Sequence, residues 1–442
     1  MPMIHGGSPH DIITSGLALD DDAVRWLLSF SDMERGVGWN PLAAPDEQWK
    51  LGRTRALLDI LGAPDRSLDC VLIAGTKGKG STAAFLARIL ASAGIRAGLY
   101  TQPHLQIYRE RIRVDGAAIT PDELRREVTL LRDAVAELRD RHPDAGEPTT
   151  FELTTALALH HFAVTGSVVA ILEVGLGGRL DATNAVDPVV SVITPISRDH
   201  LAILGPTLAD VAREKAGILR HDRPALIAPQ LAEPEAALLA AASEAGAHAT
   251  GVAPIGPGLA IGLAGDHQRV NAALAVAAAR ALPGITVTDR AIAEGLARVA
   301  WPGRFEVVSG APTFVLDGAH NDASAEAFAR TLRAYANGRA IVLVVGMHAD
   351  KETEAVLRPL CALASHAVAT RSHTARALAA DDVAAFCRQL GTTTDVESTV
   401  LGAIARAREL SGDETIVAVA GSLAIVGEAR DALGLAVAER LW

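Results

Sequence analysis

Residues 70–82, CVLIAGTKGKGST, constrain the fold of this chain more than any other stretch. A short apolar run stops at a glycine-rich turn carrying Lys77 and Lys79, and a helix-forming segment follows at once. A strand that hands a glycine-rich loop to a helix N-terminus builds a phosphate cradle. Gly75, Gly78 and Gly80 let the backbone approach an anion, and the helix aims free N–H groups and its positive dipole end at it. Lys79 supplies a point charge for terminal phosphates, and a hydroxyl from Ser81 or Thr82 can reach a magnesium ion. The match to the common phosphate-loop pattern is imperfect. Ile73 stands where a glycine is asked for, and Gly80 separates Lys79 from Ser81. The competing reading is a plain glycine-rich strand–helix turn in an α/β domain.

At 442 residues the chain exceeds one ordinary domain, so two or three domains are expected. Apolar residues make up 49% and charged residues 21%, which describes a globular protein able to bury a large core. A net charge of −11 argues against nucleic-acid or anionic-membrane partners, whose phosphates select basic surfaces. Any anionic substrate must then be met by local basic groups. Cys70, Cys361 and Cys387 are odd in number and unpatterned, so neither a disulfide framework nor a zinc site is expected, as suits a reducing cytosol. The opening MPMIHGGSPHDIITSG lacks a basic patch followed by an apolar core, and no run approaches the ~18 apolar residues of a membrane span. A cytoplasmic protein is expected.

Strand-like runs fall at residues 71–74, 168–172, 189–194 and 225–228, with helical stretches at 81–93, 121–139 and 208–219. This alternation implies an α/β fold, a mostly parallel sheet with helices on both faces. A second series follows at 313–316, 340–345, 367–370 and 415–420. Trp301-Pro302-Gly303-Arg304 breaks the two series apart, so domains over 1–300 and 301–442 are expected. The Ala-, Gly- and Pro-rich stretch 232–265 is read as a source of small strands in the first domain.

In open α/β sheets, ligands bind beyond the carboxyl ends of the strands. Here those ends carry the phosphate loop, Glu173 with GLGGRLDATN after it, PISRDH with Asp199 and His200, and Asp317-Gly318-Ala319-His320-Asn321 in the second domain. Glu173 and His200 beside a phosphate loop can complete a magnesium site, which takes one or two protein carboxylates plus substrate phosphates. The plainer alternatives make Glu173 a partner of Arg179 and His200 a loop histidine. Lys215, in REKAG near a helix end, reads by itself as a surface lysine.

Taken together, the chain resembles the folylpolyglutamate synthase/dihydrofolate synthase family of the Mur ligase superfamily. The resemblance runs from about Leu51 to Ala429 through AGTKGKGST, YTQPHL, TTFELTTALAL, LEVGLGGRLDATN, RDHLAILG, REKAGIL, HQRVNAALA, WPGRFEVV, LDGAHN, GMHADKE and GSLAIVGEAR, in the family's order. It implies a P-loop ATPase-type first domain that binds ATP and a pterin substrate, and a smaller Rossmann-like C-terminal ligase domain that closes over the cleft. It also implies a monomer acting on small molecules. The reaction implied is phosphorylation of a substrate carboxylate by ATP, then attack by the amine of L-glutamate on the acyl phosphate. A carboxylate is a poor electrophile, and the enzyme's task is to bring several anions together and neutralise them.

By position, the resemblance assigns the ATP phosphates to Gly75, Thr76, Lys77, Gly78, Lys79, Gly80, Ser81 and Thr82, with Lys79 catalytic. Asn271, Arg304 and Asp317 match nucleotide contacts, and His320 sits near the incoming glutamate. Glu173 and His200 match magnesium ligands. Lys215 matches a lysine carboxylated by carbon dioxide to hold a second magnesium. Thr149, Thr150, Phe151, Glu152 and Leu180 fall where pterin is held, although Thr150 also reads as a helix N-cap. Three positions depart from the family pattern. Lys77 stands where many bacterial members have asparagine, and Asp322 where proline often follows His-Asn. Gln102 stands where the family commonly presents a serine hydroxyl to magnesium; its carbonyl can ligate a hard cation but reaches further. Two other functions stay open at this point: a Mur-type ligase acting on another acid, and a nucleotide-dependent regulatory protein.

Overall fold

The computed structural model describes residues 21–32 and 51–442. The amino-terminal stretch searched above for a signal peptide, residues 1–16, lies outside them. The described chain divides into two compact units. Of the described residues, one comprises 27–32, 51–104, 108–304 and 438–442; the other comprises 305–437, 105–107 and 21–26. Among the described residues no helix is long and apolar enough to cross a membrane.

The larger unit holds eight strands: β1 (Asp69–Ala74), β2 (Ala97–Tyr100), β3 (Ile112–Val114), β4 (Ala117–Ala118), β5 (Val169–Glu173), β6 (Val190–Ile193), β7 (Pro224–Ile227) and β8 (His248–Gly251). They form one sheet in the order β4-β3-β2-β5-β1-β6-β7-β8. Every pairing from β2 to β8 is parallel, and β3 and β4 add an antiparallel edge. The central runs β1, β2 and β5 are largely apolar and buried because both sheet faces are covered there. Val71, Ile73, Leu99 and Ile171 pack with Phe85, Leu86, Ile89 and Leu90 of the helix Lys79–Ser92, all nearly or fully buried. At about 1.5–3 kcal/mol per such side chain, this face anchors the helix behind the phosphate loop. On the opposite face Gly98 lies against the ring of Phe162, from the helix Thr150–Val164, with no room for a side chain between them.

The smaller unit holds β9 (Glu306–Val308), β10 (Thr313–Leu316), β11 (Ile341–Val345), β12 (His366–Ala369), β13 (Thr394–Val396) and β14 (Ile416–Ala420). Their order is β13-β12-β11-β14-β10-β9, parallel except for β9. Its core gathers Phe314, Leu316, Val342, Val344, Val417 and Val419 with Ile404 and Ile425 from covering helices.

The α/β class read from the sequence is the one the chain adopts. The 232–265 stretch, read as a source of small strands, supplies one: β8, an exposed edge strand of the larger sheet, which follows the helix Ala232–Ala245. Pro234 stands in the helix's first turn, where a missing N–H removes no intrahelical bond, and Gly246 at φ 67° ends it. The short strands β2, β3, β9 and β13 escaped the sequence reading because three- and four-residue runs carry little periodicity.

Candidate active site

Because β1 lies between β5 and β6, the carboxyl ends of all three strands meet at one edge. The loop after β1 is stitched to the exit of β6. The N–H groups of Thr76 and Lys77 donate to the Pro195 carbonyl at 3.1 and 3.2 Å, and the Thr76 hydroxyl donates to Ser197 O at 3.2 Å. Two glycines here permit no substitute. Gly75 has φ 141° and a Cβ would collide with Thr194 Oγ1; Gly78 has φ 89° and a Cβ would collide with Asn271 Oδ1. Asn271 therefore packs against the loop from the helix His267–Ala281, buried, with its Nδ2 donating to Gln268 Oε1 at 2.8 Å. Gly78 is the N-cap of the helix Lys79–Ser92, so that helix opens on the loop. The Thr82 hydroxyl, just inside it, is buried with no hydrogen-bond partner.

The loop lysines meet acids. Lys79 Nζ lies 3.9 Å from Glu173 Oε1, and Lys77 Nζ lies 3.1 Å from Asp199 Oδ2. Glu173 ends β5, is buried, and accepts from the Gln102 backbone N–H at 3.3 Å. Its carboxylate and the Trp301 indole flank Gly80. Arg179, the alternative partner of Glu173, pairs instead with Glu214. His200 caps the short helix Leu201–Leu204 at φ 54°, with Nε2 3.6 Å from Asp199 Oδ1. Gln102 Nε2 is buried without a partner and faces Gly175. Among the described residues, no three His, Cys, Asp or Glu side chains form a metal-binding group.

Lys215 is not on the surface, contrary to the plain reading of its sequence. It is 5% exposed, at the end of the helix Leu208–Ala216, and its Nζ donates to the Gly75 carbonyl at 2.9 Å. Burial, reinforced by Lys79 and Lys77, lowers its pKa from 10.5 to about 7 against the pull of Asp199 and Asp181.

Asp181 went unassigned in the sequence. Its Oδ2 accepts from the N–H groups of Gly175 and Leu176 at 3.0 and 2.9 Å, and its Oδ1 accepts from the N–H and hydroxyl of Thr183 at 3.0 and 2.6 Å. Burial raises its pKa while these donors oppose the rise. An Asp two residues before a Thr was the available signal, since such acids fold loops onto their own backbone. Asn184 then ties this loop to the helix that carries Lys215, donating to Arg179 O and Gly217 O at 3.0 Å each.

The five residues matched to pterin divide. The helix Thr150–Val164 is capped by Thr149, one residue earlier than the Thr150 cap read from the sequence. Thr149 forms a reciprocal box with Glu152, its N–H donating to Glu152 Oε2 at 2.7 Å. The Thr150 hydroxyl donates to Leu27 O at 2.9 Å, and the Glu152 carboxylate is paired with Arg53 at 2.8 Å, both side chains buried. Phe151 stacks on Tyr100 with centroids 6.0 Å apart, and Leu180 is half-buried beside Asp181.

Arg304 donates to Gly303 O at 3.1 Å. In the smaller unit, Asp317 follows β10 and accepts from the N–H groups of Phe305 and Ala319 at 2.8 and 2.9 Å. His320 Nδ1 bonds Gly318 O at 2.8 Å, which places the proton on Nδ1. Asp322 opens the helix Asp322–Ala336, where a carboxylate suits the N-terminal dipole as proline would suit the backbone.

Two domain families match the chain: the Mur ligase middle domain over residues 73–252 and the Mur ligase, glutamate ligase domain over residues 303–423. The dihydrofolate synthase/folylpolyglutamate synthase of Bacillus subtilis is 36% identical over 349 residues, covering 72% of this chain and 80% of that one. A Halobacterium salinarum protein described as "Probable bifunctional folylpolyglutamate synthase/dihydropteroate synthase" is 39% identical over 409 residues, or 85% of this chain. The chain spans about half the length of that relative, 48%. Among solved structures, Escherichia coli FolC in complex with DHPP and ADP superposes with a TM-score of 0.82 at 30% identity, covering 93% of this chain and 97% of that one. With its two Mur ligase domains in order and its 36% identity to the bacterial relative over 72% of this chain and 80% of that one, the chain belongs to the folylpolyglutamate synthase/dihydrofolate synthase family.

Proposed function

We propose that this chain is an ATP-dependent ligase that joins L-glutamate to a pteroate or folate carboxylate through an acyl phosphate. The observation that carries the reading is the convergence at the ends of β1, β5 and β6. There a glycine loop at a helix N-terminus, two lysines, a buried carboxylate and a buried lysine share one edge. In this reading residues 75–82 hold the ATP phosphates and Lys79 neutralises the terminal ones, leaving Glu173 as it does so. Asn271 braces the loop, and Arg304 contacts the nucleotide. Phe151 offers a flat apolar surface to the pterin beside Leu180, with Thr149, Thr150 and Glu152 fixing the helix that presents it. Asp317 and His320 are assigned to the nucleotide and the incoming glutamate on the family motif.

Magnesium fits this donor set. Glu173 is a buried carboxylate next to the phosphate loop, with His200, and Gln102 where the family has serine, as its companions. Lys215, as the neutral amine, can add carbon dioxide to form a carbamate, losing one proton and becoming an anion able to hold a second magnesium. When bound, magnesium would neutralise the phosphate oxygens during transfer. The reading is of a monomer in the cytoplasm.

Incubation with ATP, glutamate and either dihydropteroate or a reduced folate is expected to release phosphate and lengthen the acceptor by one glutamate. No turnover with either acceptor, with phosphate release on another carboxylic acid, would move the chain to the alternative Mur-type reaction. Hydrolysis of ATP indifferent to glutamate and acceptor would instead favour a regulatory protein.

A further inference from the structure

Asp199 stands between Lys77 of the phosphate loop and its own neighbour His200. One carboxylate oxygen faces the lysine, Oδ2 at 3.1 Å from Nζ, and the other faces the imidazole, Oδ1 at 3.6 Å from Nε2. The backbones behind these side chains are fixed. Pro195 O accepts from the N–H groups of Thr76 and Lys77, the Ser197 N–H donates to Thr76 Oγ1 at 3.2 Å, and the Ile196 N–H donates to Gln230 Oε1 at 2.9 Å. On the far side the His200 carbonyl accepts from the N–H groups of Ile203 and Leu204 at 2.9 and 3.0 Å. With the main chain tied at both ends, rearrangement here falls to the side chains. The Lys77–Asp199 pair is partly exposed, the kind of ion pair that exchanges partners at little cost.

We propose that Asp199 is a positioning residue for His200, and that Lys77 withholds it until nucleotide phosphate draws the lysine away. The inference rests on the reading of residues 75–82 as the ATP phosphate site. A histidine that holds a metal through one ring nitrogen usually donates its other N–H to a carboxylate, which fixes the ring. Asp199 is the carboxylate on the Nε2 side of His200, which leaves Nδ1 for magnesium. At 3.6 Å the Asp199–His200 hydrogen bond is not yet made, and the Lys77 ammonium on the other oxygen competes for the same group. The phosphates of ATP carry several negative charges against one on Asp199, so they take the lysine. The carboxylate then closes on the Nε2–H of His200, and the metal ligand is set only when the nucleotide is in place.

The test begins with calorimetric titration of ATP into the full chain in EDTA, without glutamate or acceptor, so that metal plays no part. Asp199→Asn keeps the shape of the side chain and removes the charge that holds Lys77, and it is expected to tighten ATP several-fold. Loss of a nearby negative charge would also do this through space, so the measurement is completed as a double-mutant cycle. The tightening is expected to disappear on a Lys77→Asn background and to persist on Lys77→Arg, which keeps the cation. Manganese titrated into the ATP complex and followed by electron paramagnetic resonance is expected to bind several-fold more weakly in Asp199→Asn. Its losses in Asp199→Asn and His200→Ala are expected to overlap rather than add, because one residue acts through the other.

Equal tightening with and without Lys77→Asn would overturn the proposal, as would ATP affinity unchanged or weakened in Asp199→Asn. Manganese binding unaltered by Asp199→Asn, or losses that add with those of His200→Ala, would overturn the link to His200. A wild-type chain that binds no ATP would overturn the phosphate-site reading itself, a result distinct from any of these. Asp199→Ser serves for the same cycle where Asp199→Asn fails to fold.

Discussion

Lys215 Nζ donates to the Gly75 carbonyl oxygen at 2.9 Å, so a lysine from the end of one helix closes on the first glycine of the phosphate loop 140 positions earlier in the chain. A backbone carbonyl is a weak partner for a buried cation, and this one leaves the ammonium poorly compensated. The environment therefore favours the neutral amine, the form that reacts with carbon dioxide.

The carbamate proposed at Lys215 has a defined pH dependence. The amine is half neutral near pH 7, so carbamate occupancy is expected to climb through that point. With carbon-13-labelled bicarbonate, a carbamate resonance is expected that strengthens from about one unit below pH 7 to one unit above and vanishes in Lys215→Ala. The sign for stability runs the same way. The unfolded lysine holds its proton up to 10.5 and the folded one only to about 7, so this residue's cost to stability is full below 7 and fades toward 10.5. A bicarbonate spectrum identical in wild type and Lys215→Ala would remove the carbamate from the mechanism.

The buried pair Arg53–Glu152 makes a second prediction, about stability. Glu152 closes the capping box of its helix and takes two guanidinium nitrogens of Arg53, Nη2 at 2.8 Å and Nε at 3.0 Å. Arg53→Ala leaves that carboxylate buried and unpaired, which costs about 3–5 kcal/mol. Urea unfolding is expected to show this loss, and the double substitution Arg53→Met with Glu152→Leu is expected to recover part of it. Single and double variants of equal stability would mean that the pair is solvated in solution.

These two cases mark what the sequence could and could not tell. The strand–loop–helix order of the phosphate site was legible because local propensity and tertiary packing agree there: apolar β1, glycine turn, apolar-faced helix. Lys215 was not. A lysine near a helix C-terminus usually belongs in water, and only the loop pinned by Asp181 and Asn184 walls this one in. Arg53 was missed for a related reason. Its partner lies 99 residues away, and no local pattern marks an arginine that will be buried.

His160 and Glu127 give a third prediction. Their side chains join the helices Thr150–Val164 and Pro121–Arg141, with Nδ1 2.6 Å from the carboxylate. The bond to Glu127 raises the His160 pKa above its usual value, so its contribution is full below the unfolded value of 6.5 and is lost as pH rises through the folded one. Glu127 is shifted down by His160 and His161 against its own burial, so its contribution is present above 4.5 and is lost as pH falls. Melting curves across pH are expected to show His160→Gln most destabilised relative to wild type between those values, with the gap narrowing above neutrality. A constant gap at every pH would assign the effect to packing.

The three loop glycines offer a graded test of the nucleotide site. At Gly75 and Gly78 the backbone is left-handed or beyond, and the side-chain space is filled by Thr194 and Asn271. Alanine there must both strain the backbone and displace a buried neighbour, so Gly75→Ala and Gly78→Ala are expected to lose most nucleotide binding. Gly80 differs. It lies within the helix, an added Cβ would be 3.2 Å from Glu173 Oε2, and the Trp301 ring is 3.5 Å away. Gly80→Ala is therefore expected to fold and to gain helix propensity, at about 1 kcal/mol over glycine. Its cost falls on Glu173, which must shift. If Glu173 is a magnesium ligand, Gly80→Ala is expected to bind nucleotide without metal as wild type does and to need several-fold more magnesium for half-maximal turnover. Equal magnesium requirements in Gly80→Ala and wild type, with Glu173→Gln likewise unaffected, would take that carboxylate out of the metal site.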